Sequence, residues 1–205
     1  MLELIIIKNN FMKKNKNILG QHEFNNSYLI GLISDTHVPE ARDSIWSEIS
    51  NVFNEVQLIL HAGDMHNLSV LEELEEIAPV VACRGNGDDG SSGRPLLPDH
   101  PHVSQNQIIT INDMTIGLTH SFIHDERLGI KIDDQMIEKF GSIVDIVVAG
   151  DTHVPIIKKI YNDTMIINSG SALLPYNFNT QLGTVGFIHI KESKEVDLWI
   201  EMLHE

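Results

Sequence analysis

One cysteine in 205 residues, Cys83, leaves no partner for an internal disulfide, so no covalent staple is available and a reducing, cytoplasmic setting fits. Set in the apolar run Val80-Val81-Ala82-Cys83, the thiol reads as a small buried hydrophobe. Basic side chains are scarce as well: fourteen Lys and Arg stand against twenty-nine Asp and Glu, a net charge of -15. That disfavours a nucleic-acid backbone as partner, because phosphate binding there draws on dense cationic side chains. Phosphate esters held through bound cations stay open. No apolar run approaches the ~20 residues that span a bilayer. The short Leu2 to Ile7 stretch has its lysines (Lys8, Lys13, Lys14, Lys16) behind it, the reverse of a secretory signal. No internal repeat is found.

What is present suits one domain with a sizeable core, at 42% hydrophobic residues. Residues 1–27 differ from the rest, with six asparagines, four lysines and no sustained period, and read as a loosely attached extension. Residues 28–205 form a single, more acidic body: ten basic and twenty-seven acidic residues, a net charge of -17.

Within that body, five short apolar runs stop at residues of metal-ligand type. Tyr28 to Ser34 ends at Asp35-Thr36-His37, and Gln57 to Leu60 continues through His61-Ala62-Gly63 to Asp64. Val80 to Arg84 reaches Gly85-Asn86, Thr115 to Thr119 reaches His120, and Ile143 to Ala149 reaches Gly150-Asp151-Thr152-His153. Short β-branched runs bounded by Gly, Asp or Asn predict buried strands. In open α/β sheets, ligands bind beyond the carboxyl ends of the strands, so the five ends predict one shared crevice.

Between the first three runs, two amphipathic stretches predict helices. One is capped by Asp43 and buries Ile45, Ile49, Val52, Phe53 and Val56. The other is capped by Asn67 and buries Leu68, Leu71, Leu74 and Ile77, with Glu72, Glu73, Glu75 and Glu76 in solvent. Strand, helix, strand, helix, strand implies parallel pairing. Gly87 to Pro101 predicts a long loop over the crevice. Gln107 to Ile111 and Thr115 to Leu118 predict a hairpin about Asn112-Asp113, and Asp133 to Phe140 a short helix. Ile156 to Tyr161, Thr164 to Asn168, Gly183 to Ile190 and Val196 to Met202 predict an antiparallel tail.

Asp-x-His would put two ligands on one side of an extended segment, so Asp35 and His37 suit one cation together, and Asp151 and His153 repeat the pattern. Any one Asp or His after a strand is an ordinary turn former. Five such ends in one order suggest a pair of divalent cations, which placed about 3.5 to 4 Å apart clamp the attacking and leaving oxygens of a phosphoryl transfer.

Ser34-Asp35-Thr36-His37, His61-Ala62-Gly63-Asp64, Gly85-Asn86-Gly87-Asp88, Thr119-His120, Gly150-Asp151-Thr152-His153 and Ile167-Asn168-Ser169-Gly170-Ser171 together resemble the calcineurin-like metallophosphoesterases. The likeness is greatest to their small, YfcE-like phosphodiesterase branch and covers roughly residues 28 to 190. It implies an α/β fold, a four-layer αββα sandwich of two mixed sheets, with two divalent ions at the strand ends: Mn2+, or else Ni2+, Zn2+ or Mg2+. Asp35, His37, Asp64 and His153 would hold the first ion. Asp64 would bridge, and Asn86, His120 and Asp151 would complete the second. Asp64, Asn86 and His120 take the catalytic places, and a hydroxide shared by the ions would attack phosphorus in line. The implied partner is a small phosphate ester, and a homo-oligomer is compatible with the pattern.

Three departures qualify the resemblance. Relatives usually have Gly-His-x-His where this chain has Gly150-Asp151-Thr152-His153, which takes the charge of the implied ligands from -2 to -3. Gly87 stands where larger members carry a histidine that assists the leaving group. Ser121 replaces a glycine after the fourth strand. His61, His66 and His124 read as loop or surface histidines, and Arg84 as a surface or ion-paired arginine. A retromer subunit of the same superfamily, with Asp-x-His followed by proline as at Pro39, makes a scaffold the alternative to an enzyme.

Overall fold

Runs dense in Val, Ile and Leu become strands because branched side chains pack well on a pleated surface. The computed structural model describes residues 4–5, 27–125, 128–174 and 183–204. Its first half runs β1 (Leu4–Ile5), β2 (Tyr28–Ile33), α1 (Ser47–Val52), β3 (Leu58–His61), α2 (Ser69–Glu75), β4 (Val80–Cys83) and β5 (Val103–Ser104). There follow β6 (Asn106–Ile111), β7 (Met114–Thr119), α3 (Ile132–Phe140), β8 (Ile146–Ala149), β9 (Ile156–Lys159), β10 (Met165–Asn168), β11 (Thr184–Ile190) and β12 (Val196–Met202). Of the 1–27 extension, Leu4–Ile5 pairs in parallel with β6, and residues 6–26 lie outside the described residues.

Two mixed six-stranded sheets result, ordered β12-β11-β2-β3-β4-β5 and β1-β6-β7-β8-β10-β9. Their facing surfaces form one buried layer, in which Ile30, Leu60 and Cys83 of the first sheet share a cluster with Ile116, Val148 and Ile167 of the second. α1 and α2 cover the outer face of the first sheet through Ile49, Phe53, Leu71 and Leu74. α3 covers the second through Met136 and Phe140. The result is the expected four layers. A glycine on each sheet lets a helix-side ring lie close: a Cβ on Gly31 would stand 2.9 Å from Phe53, and one on Gly117 2.6 Å from Phe140. Among the described residues no helix is long and apolar enough to cross a membrane.

The predicted parallel order β2-β3-β4 is present, and so is the β6-β7 hairpin. Its turn needs no glycine because Asn112 and Asp113 take φ of 51° and 66°, the left-handed pair of a type I′ turn. Two expectations need correction. Asp43 does not cap a helix: α1 begins only at Ser47, because Glu73 holds the Ile45 N–H at 3.1 Å and the 38–46 segment forms turns. The tail is not wholly antiparallel either, since β10 pairs in parallel with β8 and so brings Asn168 beside the turn that follows β8.

Candidate metal centre

Six ligand-type side chains leave the strand ends through left-handed backbone: φ is 53° at Asp35, 47° at His37, 56° at Asp64, 66° at His66, 71° at Asp151 and 56° at His153. This corrects the extended Asp-x-His geometry. The pairs converge because each ligand sits on a kink that a side chain rarely adopts, and such strain collects at functional sites. Asp151 and His153 also diverge: His153 Nε2 stands 3.5 Å from Asp35 Oδ1, whereas Asp151 Oδ1 faces His120 Nε2 at 3.8 Å.

All seven predicted ligands come together where strands of both sheets end. His37 Nε2 lies 3.2 Å from His153 Nε2 and 3.6 Å from Asp64 Oδ2. Across Asp64, His120 Nε2 lies 3.4 Å from Asp64 Oδ1 and 3.1 Å from Asn86 Oδ1. Two ligands about 2.1 Å from one ion at ordinary coordination angles stand about 3.0 to 3.5 Å apart, so this spacing fits cation-binding donors. Ligand atoms of Asp35, His37 and His153 lie within 4.8 Å of one another, as do those of Asp35, Asp64 and His120.

Tautomers point the same way. His120 Nδ1 donates to Ala62 O and His153 Nδ1 to Leu174 O, each at 2.7 Å, which leaves each Nε2 lone pair facing the centre. Around His120 those lone pairs meet acceptor oxygens, and a proton takes the place a cation would fill. Burial opposes that proton, but Asp64 and Asp35 outweigh it and push the imidazole up to about 9. Burial pushes Asp35 up to about 6. Burial alone would raise Asp64 too, yet the bond and charge of His120, the Gly87 N–H and His37 hold it well below the carboxylate range. His37, with burial dominant, falls to about 4.

Residues 28–193 match the family model of the calcineurin-like phosphoesterase superfamily domain. The chain belongs to this superfamily. A protein of Methanothermobacter thermautotrophicus described as a "probable metallophosphoesterase" is 33% identical over 149 residues, 72% of this chain and 78% of its own. An archaeal phosphodiesterase of known structure is 26% identical, with TM-score 0.54, covering 84% of this chain and 99% of that one. Vacuolar protein sorting 29 from Cryptosporidium parvum shares the fold at TM-score 0.61 and 16% identity, covering 87% of this chain and 99% of its own.

Other residues of this calcineurin-like domain, given no role by sequence reasoning, support the centre. Asp88 is fully buried and ties three segments: its Oδ2 accepts from Asp64 N at 3.0 Å and Gly85 N at 2.8 Å, its Oδ1 from His66 N at 2.8 Å. Its place in Gly85-Asn86-Gly87-Asp88 was the available signal. Asn168 Nδ2 donates to Gly150 O at 2.6 Å, and Ser171 Oγ donates to Asp35 O at 2.7 Å.

His61 and His66 are not surface histidines; both are buried. His61 Nδ1 accepts from Gly63 N at 3.2 Å, so its Nε2 donates to Thr36 Oγ1 at 3.1 Å, and burial holds the ring neutral with its pKa at about 3. His124 stays outside the centre, its backbone carbonyl accepting from Lys158. Arg84 is structural: its guanidinium donates to Leu97 O and Pro98 O and pairs with Asp99 at 3.1 Å. The 87–101 loop meets the site at its base, where Arg94 donates to Asn86 O at 3.2 Å.

Proposed function

We propose that this chain is a metal-dependent phosphodiesterase acting on small phosphate esters. The observation that carries this reading is Asp64, whose two carboxylate oxygens face opposite halves of the crevice, one toward His37 and one toward His120. In this reading Asp35, His37 and His153 hold one divalent ion, Asn86, His120 and Asp151 hold the second, and Asp64 is shared. Mn2+ is the expected ion, with Ni2+, Zn2+ or Mg2+ as substitutes. When bound, such ions polarise phosphoryl oxygens and acidify water. The protein orients the donors: Ala62 O and Leu174 O fix two imidazole tautomers, Asp88 holds the Asp64 backbone N–H, and Gly87 N donates to the shared carboxylate. Beside Asn86 and His120 a cavity of about 350 Å3, lined also by Arg84, Asn106 and Lys139, has room for a small leaving group.

A scaffold on the same fold is the second reading, favoured by the carboxylate of Asp151 where relatives have an imidazole. The deciding experiment is hydrolysis of a chromogenic phosphodiester and its monoester by metal-stripped protein resupplied with Mn2+, Ni2+, Zn2+ or Mg2+. Diester turnover that requires metal and is lost in Asp64→Asn supports the enzyme. No turnover with any ion, despite ion bound, favours the scaffold.

A further inference from the structure

His66 has no part in the seven-ligand centre, yet it is built like the ligands. It sits on left-handed backbone with φ 66°, is 5% exposed, and neither ring nitrogen has a hydrogen-bond partner. A buried polar group left unsatisfied costs about 1–3 kcal/mol, which asks for a partner of another kind. The ring stands edge-on to His37 with centroids 4.4 Å apart. Its Nδ1 faces outward to Glu40 Oε2 at 3.5 Å, as the Nδ1 atoms of His120 and His153 face outward to carbonyl oxygens. Closing the 3.5 Å gap to Glu40 would make it the acceptor for Nδ1–H and leave the Nε2 lone pair for an ion, the carboxylate–histidine–metal arrangement. That Nε2 reaches over Gly87, in space that a side chain at position 87 would fill.

We infer that His37, Asp64 and His66 form a further seat for a divalent transition ion, two imidazoles and one carboxylate, with Glu40 orienting His66. Ligand atoms of the three lie within 4.8 Å of one another, and ligands on one ion stand at most about 4.4 Å apart, so a small turn of one ring closes the set. Two imidazoles and a carboxylate suit Zn2+, Ni2+ or Co2+ better than Mg2+. The seat shares His37 and Asp64 with the dinuclear centre, and in that respect rests on the proposed function; because one imidazole nitrogen binds one ion, it is an alternative to the Asp35, His37 and His153 site rather than an addition to it. It also returns to the site an imidazole of the kind that Asp151 replaces.

The test is equilibrium dialysis of metal-stripped full chain against Co2+, with the visible absorption of the bound ion recorded, for the native protein, His66→Phe and His153→Phe. Phenylalanine keeps the ring volume and removes the donor atoms. The expected result is at least tenfold weaker binding of one class of Co2+ in His66→Phe, with a changed visible band. A second variant, Gly87→Ala, keeps the imidazole but puts a Cβ against Nε2 and, less closely, against Asp64 Oδ1, and is expected to weaken the same class while the class lost in His153→Phe is retained. It serves where His66→Phe does not fold. Unchanged stoichiometry, affinity and spectrum in a folded His66 or Gly87 variant overturn the seat. If His153→Phe alone loses an ion, the seat is wrong and the dinuclear centre stands. If native protein binds no Co2+, both fall.

Discussion

Asp151 carries the largest chemical difference between this chain and the pattern it resembles. Under the proposed function, with neutral imidazoles, three carboxylates (Asp35, Asp64 and Asp151) would leave two divalent ions about +1 to attract an anionic ester, where two carboxylates would leave about +2. Asp151→His is therefore expected to raise Zn2+ affinity or diester turnover, read by metal titration and by kcat/KM. A flat result in both sinks the charge argument. His120 sets the pH dependence. Its pKa is raised to about 9 in the metal-free fold, so the stability from its imidazolium is fully present below the ordinary value of about 6.5 and is lost as pH rises through about 9. An ion must displace that proton. Metal affinity is thus expected to climb with pH toward about 9, with close to one proton released per His120 site at neutral pH. Below about 6, where Asp35 takes up a proton, release grows further. Titration calorimetry in buffers of different ionisation enthalpy reads this directly, and buffer-independent heats would refute it.

At the scale of the element, the strands carry the site and the helices hold the sheets in place. Gly117 on β7 lies under Phe140 of α3, so a Cβ there would meet the ring at 2.6 Å. Overpacking of this kind costs about 1–3 kcal/mol. Gly117→Ala is expected to lower the denaturant midpoint accordingly while metal uptake persists, since no ligand sits on α3. Unchanged stability would show that α3 shifts freely. The strands were legible because apolar runs are local: β12 spans Val196–Met202 as read, and β2, β4 and β8 differ only at an end. α1 was overread because the Asp43 signal is local while the Glu73 carboxylate that holds Ile45 N belongs to another helix. The left-handed kinks at Asp35, His37, Asp64, Asp151 and His153 were not legible, since Asp and His, though enriched at positive φ, far more often adopt negative φ.

For the whole molecule, the acidic body and the site work in opposite senses. Net charge of -15 would repel an anionic substrate, so under the proposed function bound cations would have to make the site attractive to one. The extension is a proposal about organisation: residues 28–205 carry every predicted ligand and both sheets apart from β1. Deleting residues 1–26 removes a two-residue strand, and is expected to cost about 1–2 kcal/mol in lost backbone bonds while leaving metal stoichiometry intact. A truncated chain that fails to melt cooperatively would refute it. By itself the sequence determined the donor types, their order along the chain and the strands that end at them, because apolar periodicity and turn chemistry act over a few residues. Only the tertiary structure decided that His37 and His153, 116 residues apart, stand 3.2 Å from each other. It also decided that Asp88 is a brace and that His66 is buried beside Gly87. Those facts depend on how two sheets face each other, and pair distances across sheets leave no local mark on the residues that make them.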